Sequence, residues 1–195
     1  MNPIIQKIYT QAQSNLQKIV LADAHDSRIQ AAAKIATDQK IADIILLTKE
    51  YLHHNLETQN NLAQNLFQLR SDKGLTLNQA QELITQPIYF GTMMVKTGLA
   101  DGLVSGAAST THDTFKPGLQ IIKTAPNQNI ISSFFIMEFP HPDIGYQGIM
   151  VFADCGINIS PDTPTLTQIT QQSIDSFVKL IGPSPRVALL SYSTN

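Results

Sequence analysis

The amino-acid sequence predicts an α/β fold with a mainly parallel sheet flanked by helices. Short apolar runs alternate with longer segments of helical periodicity, which is the order typical of parallel α/β domains. With 195 residues, the chain is long enough for one domain, or for one domain and part of a second. Pro126 and two Asn residues interrupt the pattern within 125–129, so we expect a first α/β domain over 1–127 and the beginning of a second over 128–195.

The elements of the first half follow from apolar periodicity and capping residues. Lys18 to Leu21 predicts a strand, and the apolar face of 27–37 predicts a helix with Asp26 as its N-cap. The run 41–47 is almost wholly apolar, which predicts a strand covered on both faces. The Asn-rich segment 51–65 indicates a weak helix or a loop. Further elements are predicted in order as helices over 66–70, 77–85 (capped by Thr76) and from Pro87, a short strand at 103–104, and a helix over 118–123.

The second half is richer in β-forming residues. The runs 130–139 and 149–159 flank a turn of Pro, His and Gly, and this spacing predicts an antiparallel hairpin. Thr163-Pro164 is predicted to cap a helix that reaches Leu180 and closes at Gly182. A last strand is predicted over 187–192, and as an uncovered edge it would invite self-association.

Composition narrows the class of partner. Charged residues make up 14% of the chain and the net charge is −2 without a basic cluster, so nothing favours a nucleic-acid partner. The longest apolar runs fall far short of the roughly 20 residues that span a bilayer, so we expect no membrane segment. A lone Cys155 and a polar N-terminal stretch predict a cytoplasmic protein.

The stretch "VSGAASTTHDTFKPG", residues 104–118, carries the chemistry. A strand that ends in Ser-Gly and leads into a helix leaves main-chain N–H groups and the positive end of the helix dipole facing any ligand there. Hydroxyls from Ser105 to Thr111, close approach at Gly106 and the charge of Lys116 therefore predict an anion site. The alternative is a hydroxyl-rich cap before an ordinary helix, because the glycine spacing matches neither the dinucleotide fingerprint nor the P-loop.

Four segments in order resemble the phosphate acetyltransferase (phosphotransacetylase) family: "MMVKTGLADGLVSGAAS", "DTFKPGLQIIKT", "VFADCGINISPD" and "RVALLSYST". Residues 17–50 resemble the family more loosely. The resemblance implies the two-domain phosphotransacetylase and isocitrate-dehydrogenase-like architecture, with a cleft between domains and a homodimeric assembly. It also implies that an acetyl group is transferred between acetyl phosphate and coenzyme A. The expected small-molecule partners are therefore acetyl phosphate, coenzyme A and phosphate. Neither a metal nor a tightly bound cofactor is expected.

The resemblance also assigns site residues. It implies substrate contacts for Arg70, Ser105, Gly106, Thr114 and Lys116, where Lys116 replaces a family Arg and so loses bidentate geometry. Ser109 is a further candidate, at a position where many relatives have His. The remaining candidates are His112, Asp113, Ser193 and Thr194.

In the family a long C-terminal portion follows "SYST" and carries an "NDLSRG" motif with a nearby Asp thought to act as base. Those residues would lie beyond Asn195, the last residue of this sequence. We therefore expect an incomplete second domain, no catalytic residue in the chain, and weak or no activity alone. One alternative is a non-catalytic remnant that binds a phosphate-bearing ligand or self-associates. Another, a relative of decarboxylating dehydrogenases, lacks paired metal-binding Asp residues at helical spacing.

Overall fold

The structure is a computed structural model that describes residues 1–126 and 128–190. Its helices are α1 (Pro3–Ser14), α2 (Ser27–Asp38), α3 (Lys49–His54), α4 (Leu56–Arg70), α5 (Leu77–Ile84), α6 (Pro87–Lys96), α7 (Thr111–Pro117) and α8 (Thr163–Leu180). Its strands are β1 (Lys18–Leu21), β2 (Asp43–Leu46), β3 (Gly102–Val104), β4 (Phe134–Glu138) and β5 (Ile149–Ala153). A 3₁₀ turn covers Ser71–Lys73, and a π-helical turn covers Gly118–Ile122.

The chain forms two compact units. One comprises Tyr9–Lys123, and the other combines Met1–Ile8 with the described residues from Thr124 onward, so that α1 contributes to both. The assignment of 1–127 and 128–195 to two family domains stays a prediction. In the part of the chain that the structure describes, no helix has the length and apolar character needed to cross a membrane.

The unit Tyr9–Lys123 is built on a parallel sheet in the order β2-β1-β3, which confirms the predicted α/β class. β1 is central, and its Val20 is fully buried opposite Ile45 and Leu103. The expectation that the second strand is covered on both faces is wrong. β2 starts at an exposed Asp43 and is otherwise half-buried, because it lies at the edge of the sheet.

The core of this unit lies between the sheet and α4, α5 and α6. Phe90 and Leu66 are fully buried there, and Leu62 is almost so. The segment 51–65, predicted as a weak helix or loop, is helical in α3 and α4. Its polar composition is overridden because Leu62, Ala63 and Leu66 bury one face of α4, and tertiary packing stabilises helices more than intrinsic propensity does.

The segment from β3 to Lys123 differs from the sequence prediction. A separate helix over 118–123 was predicted, whereas α7 continues directly into the π-helical turn Gly118–Ile122. Pro117 has no N–H with which to continue the α-helical hydrogen-bond pattern, and the change of winding follows it. The turn ends where Lys123 adopts a positive φ of 68°.

In the other unit, the predicted antiparallel hairpin is confirmed, with β4 and β5 paired through Phe135↔Phe152 and their neighbours. Both strands are shorter than the predicted runs 130–139 and 149–159. The helix over 163–180 is also confirmed, but its cap is Asp162 and not Thr163. The Asp162 carboxylate accepts from the Thr165 N–H at 2.9 Å, and Pro164 occupies the first turn, where it needs no hydrogen-bond acceptor. Ile149, Phe177 and Ile181 form a small core with Ile4.

The predicted last strand is wrong for the residues that the structure describes. Residues 187–190 are in no strand, and Val187, Leu189 and Leu190 are 51%, 64% and 86% exposed. An apolar run becomes a strand only where a neighbouring strand pairs with it, and no such partner is found among residues 1–126 and 128–190. Residues 191–192 of that prediction lie outside the described residues.

Gly91 sets the distance between α6 and the sheet. A Cβ placed there would lie 2.9 Å from Leu103 Cδ1 and 3.0 Å from Val20 Cγ1, both in the core. We expect Gly91→Val to lower the free energy of unfolding by about 2 kcal/mol, because overpacking a dense core forces backbone shifts. Thermal unfolding followed by circular dichroism measures this.

Gly118→Val is the matched control, because a Cβ at Gly118 meets nothing within 4 Å. We expect its unfolding free energy to stay within about 0.5 kcal/mol of the parent chain. Equal losses for both variants would show that α6 is not packed against the sheet as described.

Candidate functional site

The turn after β3 binds an anion, and the anion is the side chain of Asp23. β1 and β3 run parallel with Leu21 opposite Val104, so Asp23 and the turn emerge at the same sheet edge. The Asp23 carboxylate accepts four hydrogen bonds, from the hydroxyls of Ser105 (3.1 Å) and Ser109 (2.6 Å) and from the main-chain N–H groups of Gly106 (2.8 Å) and Ala107 (3.1 Å). Asp23 is 2% exposed.

These hydrogen bonds keep Asp23 ionised. Burial raises the pKa of the carboxyl, but the donors of Ser109, Gly106, Ser105 and Ala107 outweigh it, so the pKa lies below its ordinary value of 3.8. Hydrogen bonds to an ionised acceptor are stronger than those between neutral groups, and a buried carboxylate requires them. The turn is therefore fixed to the end of β1 by a charge.

Arg28 adds a second link between the same two regions. Its Nη2 donates to the Ala107 carbonyl at 2.8 Å and to the Asp26 carboxylate at 2.6 Å. The hydrogen bonds and charge of Arg28 lower the pKa of Asp26, the N-cap of α2, to about 2. Arg28, at the start of α2, thus binds a carbonyl of the segment 105–109, whereas Asp23 binds the N–H and hydroxyl donors of the same segment.

The predicted contact residues of the turn accordingly have an internal partner. Ser105, Gly106 and Ser109 all donate to Asp23 in this structure. Gly106 has a φ of 115° and open space at its Cβ position, so the turn is not sealed beneath packing. Contact between these three residues and a substrate stays a prediction.

The first turn of α7 holds three further candidates. Thr110 caps the helix by accepting from the Asp113 N–H at 3.1 Å, and its hydroxyl donates to the Asp113 carboxylate at 2.7 Å. The Thr110 hydroxyl and then His112, 3.5 Å away, hold the pKa of Asp113 below its ordinary range. His112 and Asp113 are exposed. The Thr114 hydroxyl is buried, with no partner among the described residues.

Arg70 and Lys116, the two predicted cations, line the same cavity of about 390 Å³. Arg70 is the last residue of α4 and Lys116 lies near the end of α7, so two separate helices bring the charges together. The rest of the lining is mixed, with one more cation, one carboxylate, four amide or aromatic polar side chains, one glycine and three leucines: Lys73, Glu82, Gln79, Gln86, Gln120, Tyr89, Gly74, Leu66, Leu75 and Leu83.

Tyr89 and Gln120 line the cavity beside Arg70 and were not predicted from the sequence. Arg70 Nη1 donates to the main-chain oxygen of Gln120 at 3.0 Å, and the Tyr89 hydroxyl donates to Gln120 Oε1 at 3.1 Å. Tyr89 is 5% exposed, and burial raises the pKa of its hydroxyl. The sequence pattern gives no signal for this pair, because Tyr89 fits the apolar pattern of its helix and Gln120 fits that of a helical surface residue.

Asp23 could have been found from the sequence. It follows a strand that is parallel to the one before Ser105, and the carboxyl ends of adjacent parallel strands meet at one sheet edge.

The other unit contains a similar internal anion. Asp154 accepts from the Ser133 hydroxyl and from the N–H groups of Gly156 and Ile157. Among residues 1–126 and 128–190, no cluster of side chains has the composition of a metal site.

Comparison with known proteins decides the family. Residues 3–195 match the phosphate acetyl/butaryl transferase family. The chain belongs to this family. The sequence resemblance to phosphate acetyltransferases is thereby confirmed, and it extends to residues before 17 that the sequence motifs did not cover.

Named relatives agree with this assignment. A phosphate acetyltransferase of Thermoanaerobacterium thermosaccharolyticum is 43% identical over 98% of this chain and 63% of its own length, and one of Acetivibrio thermocellus is 38% identical over 97% and 62%. Among solved structures, a Streptococcus pyogenes phosphotransacetylase gives a TM-score of 0.78 at 30% identity over 90% of this chain and 57% of its own. The EutD phosphotransacetylase of Staphylococcus aureus gives 0.75 at 32%, over 91% and 57%.

The chain thus spans about 63% of the length of the first of these relatives. Within this family member, the structure brings Arg70 and Lys116 to one cavity, and it places Ser105, Gly106 and Ser109 on Asp23. The roles of all these residues toward a substrate stay predictions.

The predictions for the end of the chain concern residues that the structure does not describe. Ser193 and Thr194, the two remaining contact candidates, and Asn195 lie outside the described residues. The expectation that the family's base and its Ser-Arg motif would lie beyond Asn195 therefore stays a prediction, as does the expectation that the chain has no catalytic residue.

Loss of the Asp23 charge should be visible in the pH dependence of stability. Because its pKa is lower in the folded chain than in the unfolded chain, Asp23 stabilises the fold above about pH 4 and loses that contribution as the pH falls through the folded value. We expect Asp23→Asn to lower the unfolding free energy at neutral pH by about 2 kcal/mol, because the four buried donors would no longer have a carboxylate as their acceptor. Urea unfolding from neutral pH downward measures this.

The diagnostic quantity is the difference between the parent chain and Asp23→Asn at each pH. It should shrink below about pH 4, where the parent carboxyl takes up its proton, and other carboxylates cancel in the difference. Asp38→Asn, an exposed carboxylate paired with Lys34 on the surface of α2, is the control and should cost little. A difference that stays constant down to acid pH would contradict the role of the Asp23 charge.

Proposed function

We propose that the chain acts as a phosphate acetyltransferase, which moves an acetyl group between acetyl phosphate and coenzyme A. The cavity around Arg70 and Lys116 would bind the phosphate-bearing substrate. The observation that carries the proposal is that two cations on separate helices line one cavity of about 390 Å³, a size suited to a small metabolite. Family membership supports the reaction, and the chemistry of the lining supports the anionic substrate.

The reaction places clear demands on such a cavity. The thiol sulfur of coenzyme A attacks the carbonyl carbon of acetyl phosphate, and the bond from that carbon to the phosphate oxygen breaks in the same addition–elimination sequence. Phosphate leaves with the bonding electron pair, and the proton that the thiol loses ends, in the overall balance, on the released phosphate. Cations beside the phosphate stabilise the charge that builds up on the leaving group.

The two cations suit this task differently. Arg70 presents a planar fork that can donate to two phosphate oxygens, and one of its nitrogens is already fixed on the Gln120 carbonyl. Lys116 is exposed and acts as a point charge, so it attracts the anion without defining its orientation. We assign the described residues to binding and charge stabilisation, and assign none of them as base for the thiol.

A second candidate function is binding of a phosphate-bearing ligand without turnover. It is favoured by one observation: the residues that line the cavity all lie within the compact unit Tyr9–Lys123. Binding therefore needs only that unit, whereas acetyl transfer also needs a place for coenzyme A and a base. Coenzyme A as substrate, the absence of a tightly bound cofactor and assembly as a homodimer remain predictions from the family.

Substitution of the two cations tests the proposal. In Arg70→Ala we expect the affinity for acetyl phosphate to fall by about 10- to 100-fold, because charge-assisted hydrogen bonds are worth about 1.5–3 kcal/mol. In Lys116→Arg we expect a gain of about threefold, since a guanidinium adds a second donor to the same oxygen pair. Calorimetric titration of the purified chain with acetyl phosphate measures binding, and formation of the acetyl-coenzyme A thioester measures turnover.

Lys34→Ala is the control, because Lys34 is an exposed cation of α2 that pairs with Asp38 away from the cavity. Turnover whose KM for acetyl phosphate rises in Arg70→Ala supports the enzyme. Binding that depends on Arg70 without any turnover supports the second candidate. If acetyl phosphate does not bind, or binds equally well to Arg70→Ala and the parent chain, the placement of the site is wrong.

A further inference from the structure

Gln120 lines the same cavity as the two cations and is held through both its main chain and its side chain. It follows Lys116 by one helical turn, so both side chains reach the same cavity. Its main-chain oxygen accepts from Arg70, and its side-chain Oε1 accepts from the Tyr89 hydroxyl at 3.1 Å. The residue lies in the π-helical turn Gly118–Ile122, a type of distortion that is frequent at functional sites.

The partner of Tyr89 fixes which way the Gln120 amide faces. Tyr89 is buried, so its hydroxyl hydrogen needs an acceptor, and Gln120 Oε1 supplies it. The opposite orientation would turn the amide hydrogens toward the hydroxyl and leave the buried O–H without that acceptor. The amide nitrogen Nε2 is therefore directed away from Tyr89, and its two N–H donors meet no protein acceptor in the described ranges 1–126 and 128–190.

An amide donor complements the two charges beside it. Three terminal oxygens of a phosphate group carry more lone pairs than one guanidinium and one ammonium can satisfy. A neutral donor adds a directed hydrogen bond without adding the cost of desolvating a third cation. By contrast, the Gln79 side chain in the same lining accepts from the Thr76 N–H at 2.9 Å, as part of the α5 capping box.

We propose that Gln120 contacts the substrate by donating an Nε2–H to a phosphate oxygen, and that Tyr89 is a positioning residue that keeps this donor facing the cavity. The inference rests on the proposed function of the Arg70 and Lys116 cavity and adds to it a specificity-determining amide. The ligand class is a phosphate monoester, an acyl phosphate or free phosphate, which share the terminal oxygens that the amide would contact.

Inorganic phosphate titrated into the purified chain by calorimetry tests this. We expect Gln120→Met, which keeps the side-chain length but has no donor, to bind phosphate about tenfold more weakly. Tyr89→Phe frees the amide to rotate and should weaken binding about threefold. Because Tyr89 acts through Gln120, the double variant should bind no more weakly than Gln120→Met alone.

A merely structural role makes a different prediction, in which the two effects add in the double variant. Additive losses, or phosphate binding by Gln120→Met equal to that of the parent chain, would overturn the proposal. Gln64→Met, on an exposed position of α4, is the matched control and should leave phosphate binding unchanged. Thermal unfolding of each variant identifies any that fail to fold.

Gln120→Glu provides an independent arm should the methionine variant misfold. It keeps the acceptor for Tyr89 and the side-chain shape, but it replaces both donors with a carboxylate oxygen, so phosphate binding should fall by more than in Gln120→Met. Binding retained in Gln120→Glu overturns the inference.

If Arg70→Ala abolishes binding while both Gln120 variants leave it intact, only this inference fails. A parent chain that binds no phosphate removes the proposed function and the inference together.

Discussion

The buried carboxylate of Asp23 is the constraint on which the candidate site depends. It accepts hydrogen bonds from two hydroxyls and two main-chain N–H groups of the turn 105–109, and it is 2% exposed. Since β1 and β3 are paired in parallel, this contact joins the ends of two adjacent strands. The turn leads directly to Thr110, the N-cap of α7. The contact with Asp23 therefore fixes where the helix that carries Lys116 begins.

The hydrogen-bond donors of the turn after β3 and the cations of the cavity differ in whether the protein itself supplies their negative partner. The turn after β3 has the donors expected of a phosphate-binding loop, but the protein satisfies them with its own carboxylate. The cavity has the opposite character. The lining itself contains three cations, Arg70, Lys73 and Lys116, and one carboxylate, that of Glu82, while the Asp72 carboxylate lies 3.8 Å from Lys73. A mobile anionic substrate is attracted where positive charge is in excess, and the lining of this cavity provides such an excess.

Features with local causes could be predicted from the sequence, and features with distant causes could not. Asp26 begins a helix for reasons confined to one turn, and the apolar runs 18–21 and 103–104 each form a strand. The two cations were predictable through resemblance to the family. By contrast, 51–65 is helical because it is packed, and 187–190 has no described strand to pair with. Tyr89 and Gln120 are 31 residues apart, a separation that periodicity cannot detect, whereas Asp23, 82 residues before Ser105, could be inferred only from the parallel pairing of β1 with β3.

Phosphate, on this interpretation, binds in the cavity while the turn 105–109 stays on Asp23. A phosphate titration of the ¹⁵N-labelled chain, followed by amide chemical shifts, tests this most directly. We predict that the amides of Lys116, Gly118, Leu119 and Gln120 and that of Arg70 shift with added phosphate, while those of Gly106 and Ala107, already bound to the carboxylate, do not. Largest shifts at Gly106 and Ala107, with the cavity residues unmoved, would contradict it.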